Sequence, residues 1–149
     1  MTQFQNQFAQ TNEKGKLDLA LNVNTISCEV SANQATALVA GQAVTIEDSI
    51  GGVPKVLAAA ADSDRIFGFV NYSLKDINFA AHARVEISRY TNVMLMEASA
   101  AIARGAKVAI VVSGQKVVTA GEGQTVVGEA LDKALASGNL IRVQILPIL

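Results

Sequence analysis

The stretch Ala37-Leu38-Val39-Ala40-Gly41-Gln42-Ala43-Val44-Thr45-Ile46 returns as Ala101-Ile102-Ala103-Arg104-Gly105-Ala106-Lys107-Val108-Ala109-Ile110. Downstream, Ile66-Phe67-Gly68-Phe69 is answered by Val126-Val127-Gly128-Glu129, and Arg84-Val85-Glu86-Ile87 by Arg142-Val143-Gln144-Ile145. Each copy reads as a turn, a strand, a hairpin, a strand marked by glycine, a loop and a closing strand. The pseudo-repeats span about 37–88 and 101–146. Gly41, Gly68, Gly105 and Gly128 are the structural turn positions that both copies keep, since glycine alone enters positive φ without steric cost. The side chains around them are not kept: Phe69 stands where the second copy has Glu129, Ala40 where it has Arg104, and His82 has no equivalent.

Outward from the repeat, alternation dominates. Leu17, Leu19, Leu21 and Val23 alternate with Lys16, Asp18 and Asn22, the period of a sheet with one buried face. Ile26, Cys28 and Val30 alternate on the opposite parity, which requires a bulge, turn or change of sheet near Asn24-Thr25. Gly51-Gly52 and Ser113-Gly114 occupy hairpin positions, and Asn92 to Glu97 forms a further strand. Pro54 cannot donate to a ladder, so its strand begins there or lies at an edge. Gly68 and Gly128 fall inside strand-like runs, where glycine marks a bulge or a close backbone approach. Ala58 to Ala61, Ala98 to Ala103 and Leu131 to Ala136 could each form a turn or two of helix, but none carries a sustained apolar stripe. The expected fold is all-β with at most one or two short helices, a compact β-clip or barrel-like domain over residues 16–149.

Residues 1–15 differ, being rich in Gln and Asn with Phe4 and Phe8 as their large apolar side chains. Two readings fit them: a disordered tail, or an arm that orders on a partner. In the second reading Phe4 and Phe8 anchor the arm, while Gln5 and Gln7 supply backbone-like hydrogen bonds.

At 149 residues the chain fits one domain burying roughly 68–70% of its unfolded surface. Half of its residues are hydrophobic, which argues against global disorder. A net charge of −1 argues against nucleic acid as a partner, and no basic run suggests an anionic membrane. The start lacks a signal-peptide pattern, and no run approaches the roughly 18 apolar residues of a membrane-spanning helix. A soluble protein is expected. Its one cysteine, Cys28, cannot form an internal disulfide and reads as a small core hydrophobe.

Chemistry is sparse. His82 is the lone histidine and no ligand spacing accompanies it, so no metal and no cofactor are expected. It reads as a loop or turn residue before a strand. Asp62-Ser63-Asp64 lacks the remaining ligands of a calcium loop, and Gly121-Glu122-Gly123 lacks the lysine of a phosphate loop. Glu86, Glu97, Asp132 and Lys133 read as exposed charges. No catalytic residue emerges, and the chain is expected not to be an enzyme.

Over Gly41-Gln42-Ala43-Val44, Ala101 to Val108, Thr125-Val126-Val127-Gly128-Glu129-Ala130-Leu131 and Leu140 to Leu146, the chain resembles the capsid cement, or head decoration, proteins of tailed bacteriophages. About two thirds of the chain takes part, and its beginning does not. The resemblance implies a small β domain, often trimeric, that is made in the host cytoplasm and binds outside a phage head. There it would reinforce contacts between subunits of its partner, the major capsid protein, without cofactor or catalysis. Two other classes remain open: a non-catalytic module for carbohydrate or a tail component, and a β-clip nucleotide hydrolase. The absence of Trp and the missing acidic metal cluster weigh against them, leaving Tyr72 and Tyr90 to cover a sheet face or a subunit seam.

Overall fold

Side chains that alternate between core and solvent build the first barrel. In the computed structural model, which describes residues 14–15, 24–47, 51–59, 65–90, 92–111 and 113–147, Cys28 and Val30 of β1 (Thr25–Val30) point inward while Thr25 and Ser27 are exposed. The same rule places Val85 and Ile87 of β7 (Arg84–Ser88) inside, opposite exposed Arg84 and Glu86. Between them run β2 (Leu38–Val39), β3 (Ala43–Ile46), β4 (Lys55–Ala58), β5 (Gly68–Val70) and β6 (Asn78–Phe79). Five of these close into a barrel in the order β1-β4-β3-β5-β7. β1 runs parallel to β4, with Val30 opposite Val56, and antiparallel to β7, with Cys28 opposite Val85. Closure leaves no strand edge open in this ring. β2 and β6 pair separately, Leu38 opposite Phe79.

The second lobe repeats the plan. β8 (Val93–Glu97), β9 (Lys107–Val111), β10 (Lys116–Thr119), β11 (Gly128–Ala130) and β12 (Leu140–Ile145) form a sheet in the order β10-β9-β11-β12-β8. Its two ends meet at a parallel bridge, Ala98 to Val117. That bridge corresponds to Val30–Val56, because Ser99 N–H donates to Val117 O at 2.8 Å just as Ser31 N–H donates to Val56 O at 2.9 Å. The bridge from Ile102 to Ala134 stands for the β2–β6 pair. Each unit thus includes a leading strand, β1 or β8, that lies outside the repeat read from sequence.

The architecture is all-β, and no helix occurs among the described residues. Ala98 to Ala103 and Leu131 to Ala136 form bends and single bridges instead. The strand expected over Leu17–Val23 lies outside the described residues.

One register differs from the sequence reading. Asn71 N–H donates to Glu86 O and Leu131 N–H donates to Arg142 O, so Glu86 matches Arg142, and Arg84 matches Leu140 rather than Arg142. A shift by two residues keeps every side chain on its original face, so alternation cannot detect it.

The two lobes share a core. Phe69, Ala43, Ala59 and Ile66 come from the first lobe but are buried in the cluster formed by Met94, Val108, Ile110 and their neighbours in the second. Hydrogen bonds seal the seam: Ala43 N–H donates to Gly114 O at 2.8 Å, and the Gln42 side-chain amide donates from Nε2 to Ser113 O at 3.0 Å. Gly15 is buried there too, donating to Leu95 O at 2.7 Å and accepting from Tyr72 N–H at 3.0 Å. Lys14 and Gly15 therefore belong with the body of the protein.

Candidate binding surface

The glycines shared by the two copies serve two different geometries. Gly41 and Gly105 turn the chain at φ +79° and +83°, each donating its N–H across the lobe, to Val70 O and Ala130 O, at 2.7 Å. Gly68 and Gly128 are not turns. They lie inside β5 and β11, where a Cβ would come within 2.4 Å of Ser88 O and 2.5 Å of a Val143 methyl, respectively. Glycine is needed there for close approach of neighbouring strands.

His82 has a counterpart after all. Its φ is +69°, and its N–H donates to Val30 O at 2.8 Å. In the second lobe Gly138, at φ +92°, donates to Ala98 O at the same distance. Histidine and glycine thus fill one turn position, which similarity of residue type could not reveal. The His82 ring is exposed, with Nδ1 3.6 Å from Glu29 Oε1.

The remaining polar groups pair on the surface. Glu97 meets Lys116 at 2.9 Å, Glu86 accepts from the Ser27 hydroxyl, and Lys107 pairs with Glu129. Asp132 accepts from Arg142 Nε at 2.9 Å and from a terminal guanidinium nitrogen at 2.8 Å. Those bonds hold its carboxyl below the usual aspartate range. Lys133 is exposed. Cys28 is fully buried, its thiol directed at Ile26 O at 3.7 Å. Burial pushes its pKa up to about 11, so it stays a neutral thiol, unsuited to attack. Among the described residues no group of three or more His, Cys, Asp or Glu could hold a metal ion, and no helix is long and apolar enough to cross a membrane. The Asp62-Ser63-Asp64 run lies outside the described residues.

A concavity at the seam is lined by Arg65, Phe67, Arg89, Tyr90, Leu146 and Pro147. The Arg89 guanidinium lies 4.3 Å from the Phe67 ring centroid and 5.5 Å from that of Tyr90, while its Nε donates to Phe67 O. With Arg89 so engaged, the space of about 90 Å³ is well short of the roughly 300 Å³ at which small-molecule pockets begin.

The lobes differ most in the connection that leaves β5 or its counterpart β11. Asn71 and Leu131 occupy the same position, and so do Phe79 and Ala134. The first connection has nine residues and the second four. The longer one carries Leu74 and Ile77, which are 91% and 79% exposed. The Ser73 hydroxyl accepts the N–H groups of Lys75 and Asp76 at 3.2 and 3.3 Å, giving the loop a defined turn. Barrel closure does not need these residues, since the second lobe manages without them. An exposed apolar pair outside the needs of the fold is a candidate contact surface. Periodicity did not single it out, but the length difference between the copies could have. Phe4, Gln5, Gln7 and Phe8 lie outside the described residues.

Fold and surface together define a class: an all-β protein of two tandem barrel-like units that presents an apolar loop. Among solved structures, the chain is similar to the N base of the head fibre gp8.5 of bacteriophage phi29. The TM-score is 0.58, and the match covers 83% of this chain and 94% of that one at 14% sequence identity. At such identity the likeness is one of fold. No family model and no curated protein matches the chain.

Proposed function

We propose that this chain is a virion structural protein that binds the outer surface of a phage head and stabilises contacts between major capsid protein subunits. The observation that carries the reading is the fold likeness to a phage head fibre base, which covers 83% of this chain and 94% of that one. The closed first barrel and the shared core suit a rigid clamp. Leu74 and Ile77 supply the apolar contact, together with Phe4 and Phe8 of the N-terminal arm. Binding the assembled shell better than its dissociated subunits stabilises it by mass action, and a trimer would add avidity.

The test is co-sedimentation of the purified protein with expanded, undecorated heads. Saturable binding at symmetry-related positions is expected, weakened when Leu74 and Ile77 are both changed to Ser. No binding across a range of salt and pH would overturn the proposal.

The same likeness favours a second reading, an attachment base for a projecting appendage. Such a base would bind heads equally well. Heat resistance of the decorated head separates the two: a cement raises it, whereas an attachment base leaves it unchanged.

A further inference from the structure

The lobes pack head to tail. The first offers a face whose centre is Ala43 of β3 paired with Phe69 of β5, flanked by Ala59 and Ile66, and the second receives it beside the Ser113–Gly114 hairpin. Were the contact two-fold, the second lobe would return the same face to the first lobe's hairpin. It does not. A Cβ added at Gly51 or Gly52 would meet nothing within 4 Å, whereas one at Gly114 would lie 3.0 Å from Ala43. A head-to-tail contact has no built-in end, because the last unit can offer the same face to the first unit of another molecule.

At that face the second lobe carries Lys107 and Glu129, in the pairing register of Ala43 and Phe69. The flanking positions remain apolar, Ala120 for Ala59 and Val126 for Ile66. Only the centre has become charged. Lys107 and Glu129 pair with each other while staying 53% and 36% exposed. A solvent-exposed ion pair adds little stability, so folding does not account for it. Covering it with an apolar surface would strip water from both charges.

We infer that the Lys107–Glu129 pair is an end cap, which stops a second copy of this chain from docking by the contact that joins the two lobes. The face keeps the apolar flanks that seat the first lobe against the second, and carries charge where that contact has its centre. This holds for a free chain or a trimer, and it does not depend on binding to a phage head.

The experiment restores the first lobe's pattern with Lys107→Ala and Glu129→Phe together. A second variant, Lys107→Ala with Glu129→Leu, serves should the phenylalanine disturb folding. Sedimentation velocity over a hundredfold range of concentration is expected to show the variants growing into dimers and longer chains. The parent protein should hold a constant size. Gly52→Asp, placed on the receiving hairpin, should suppress that growth. A folded variant that keeps the parent's size at every concentration would overturn the inference, as would growth indifferent to Gly52→Asp.

Discussion

Asn92 holds Asn24 with both ends of its amide: Nδ2 donates to Asn24 O at 2.8 Å, and Oδ1 accepts the Asn24 N–H at 2.6 Å. The two residues occupy the same place in their respective lobes. Each carbonyl accepts from the closing strand, from Arg89 N–H at 2.9 Å and from Ile145 N–H at 2.8 Å. Yet one contributes backbone and the other side chain. This asymmetry fits the head-to-tail packing of the lobes, and Asn92 is only 2% exposed.

Replacing Asn92 with Ala should therefore leave the Asn24 N–H without its partner at the seam. The expected cost is about 1–3 kcal/mol, measured by chemical denaturation, with Asn92→Asp failing to restore the donor.

Gly68→Ala and Gly105→Ala should separate two roles of glycine. At Gly68 the new methyl meets backbone at 2.4 Å, so about 3 kcal/mol of destabilisation is expected. At Gly105 the space is open and only the positive φ opposes Ala, for about 1 kcal/mol. Thermal melts should rank the variants in that order.

Cys28 should resist aqueous thiol reagents until the protein unfolds. Its folded pKa of about 11 exceeds the ordinary value near 8.5. Desolvation is the main cause, with Glu86 adding to the shift and Arg89 opposing it. The unfolded thiol thus loses its proton first, and its contribution to stability is full below about pH 8.5 and is lost as pH rises through about 11. Cys28→Ala should remove this part of the alkaline decline.

Asp132 contributes at the opposite end of the pH scale. Its bonds to Arg142 hold the folded carboxyl below its unfolded value. The contribution is present above about pH 4 and disappears as pH falls through the lowered folded value. Both side chains are more than a third exposed, so about 0.5 kcal/mol is expected. Asp132→Asn should flatten that part of the acid titration of stability.

Truncation should be made before Lys14. Removing residues 1–13 is expected to weaken head binding and to leave the melting temperature unchanged. Removing residues 1–15 also deletes the Gly15 bridge between Leu95 and Tyr72, and should lower it. Equal binding by the full-length and 14–149 chains would remove Phe4 and Phe8 from the contact.

Alternation along single strands and the recurrence of Gly41 as Gly105 were enough to establish an all-β fold with a doubled plan, because both are local. Side-chain period and turn conformation depend on residues a few positions apart. The same local character explains the misplaced register of Arg84, since a shift of two positions leaves inward and outward faces alike. It also explains why His82 looked unmatched: a turn position is defined by φ, which Gly138 satisfies with no side chain at all.

Which strands meet, and which face of one lobe the other buries, are decided by contacts between residues far apart in the chain. Only the tertiary structure shows Phe69 leaving its own barrel for the core of the next. The place of Glu129 then stays exposed, and the extra residues around Leu74 and Ile77 stand clear of the scaffold. The repeat in the sequence determined the unit. Packing of unit on unit determined which of its surfaces remain free to bind.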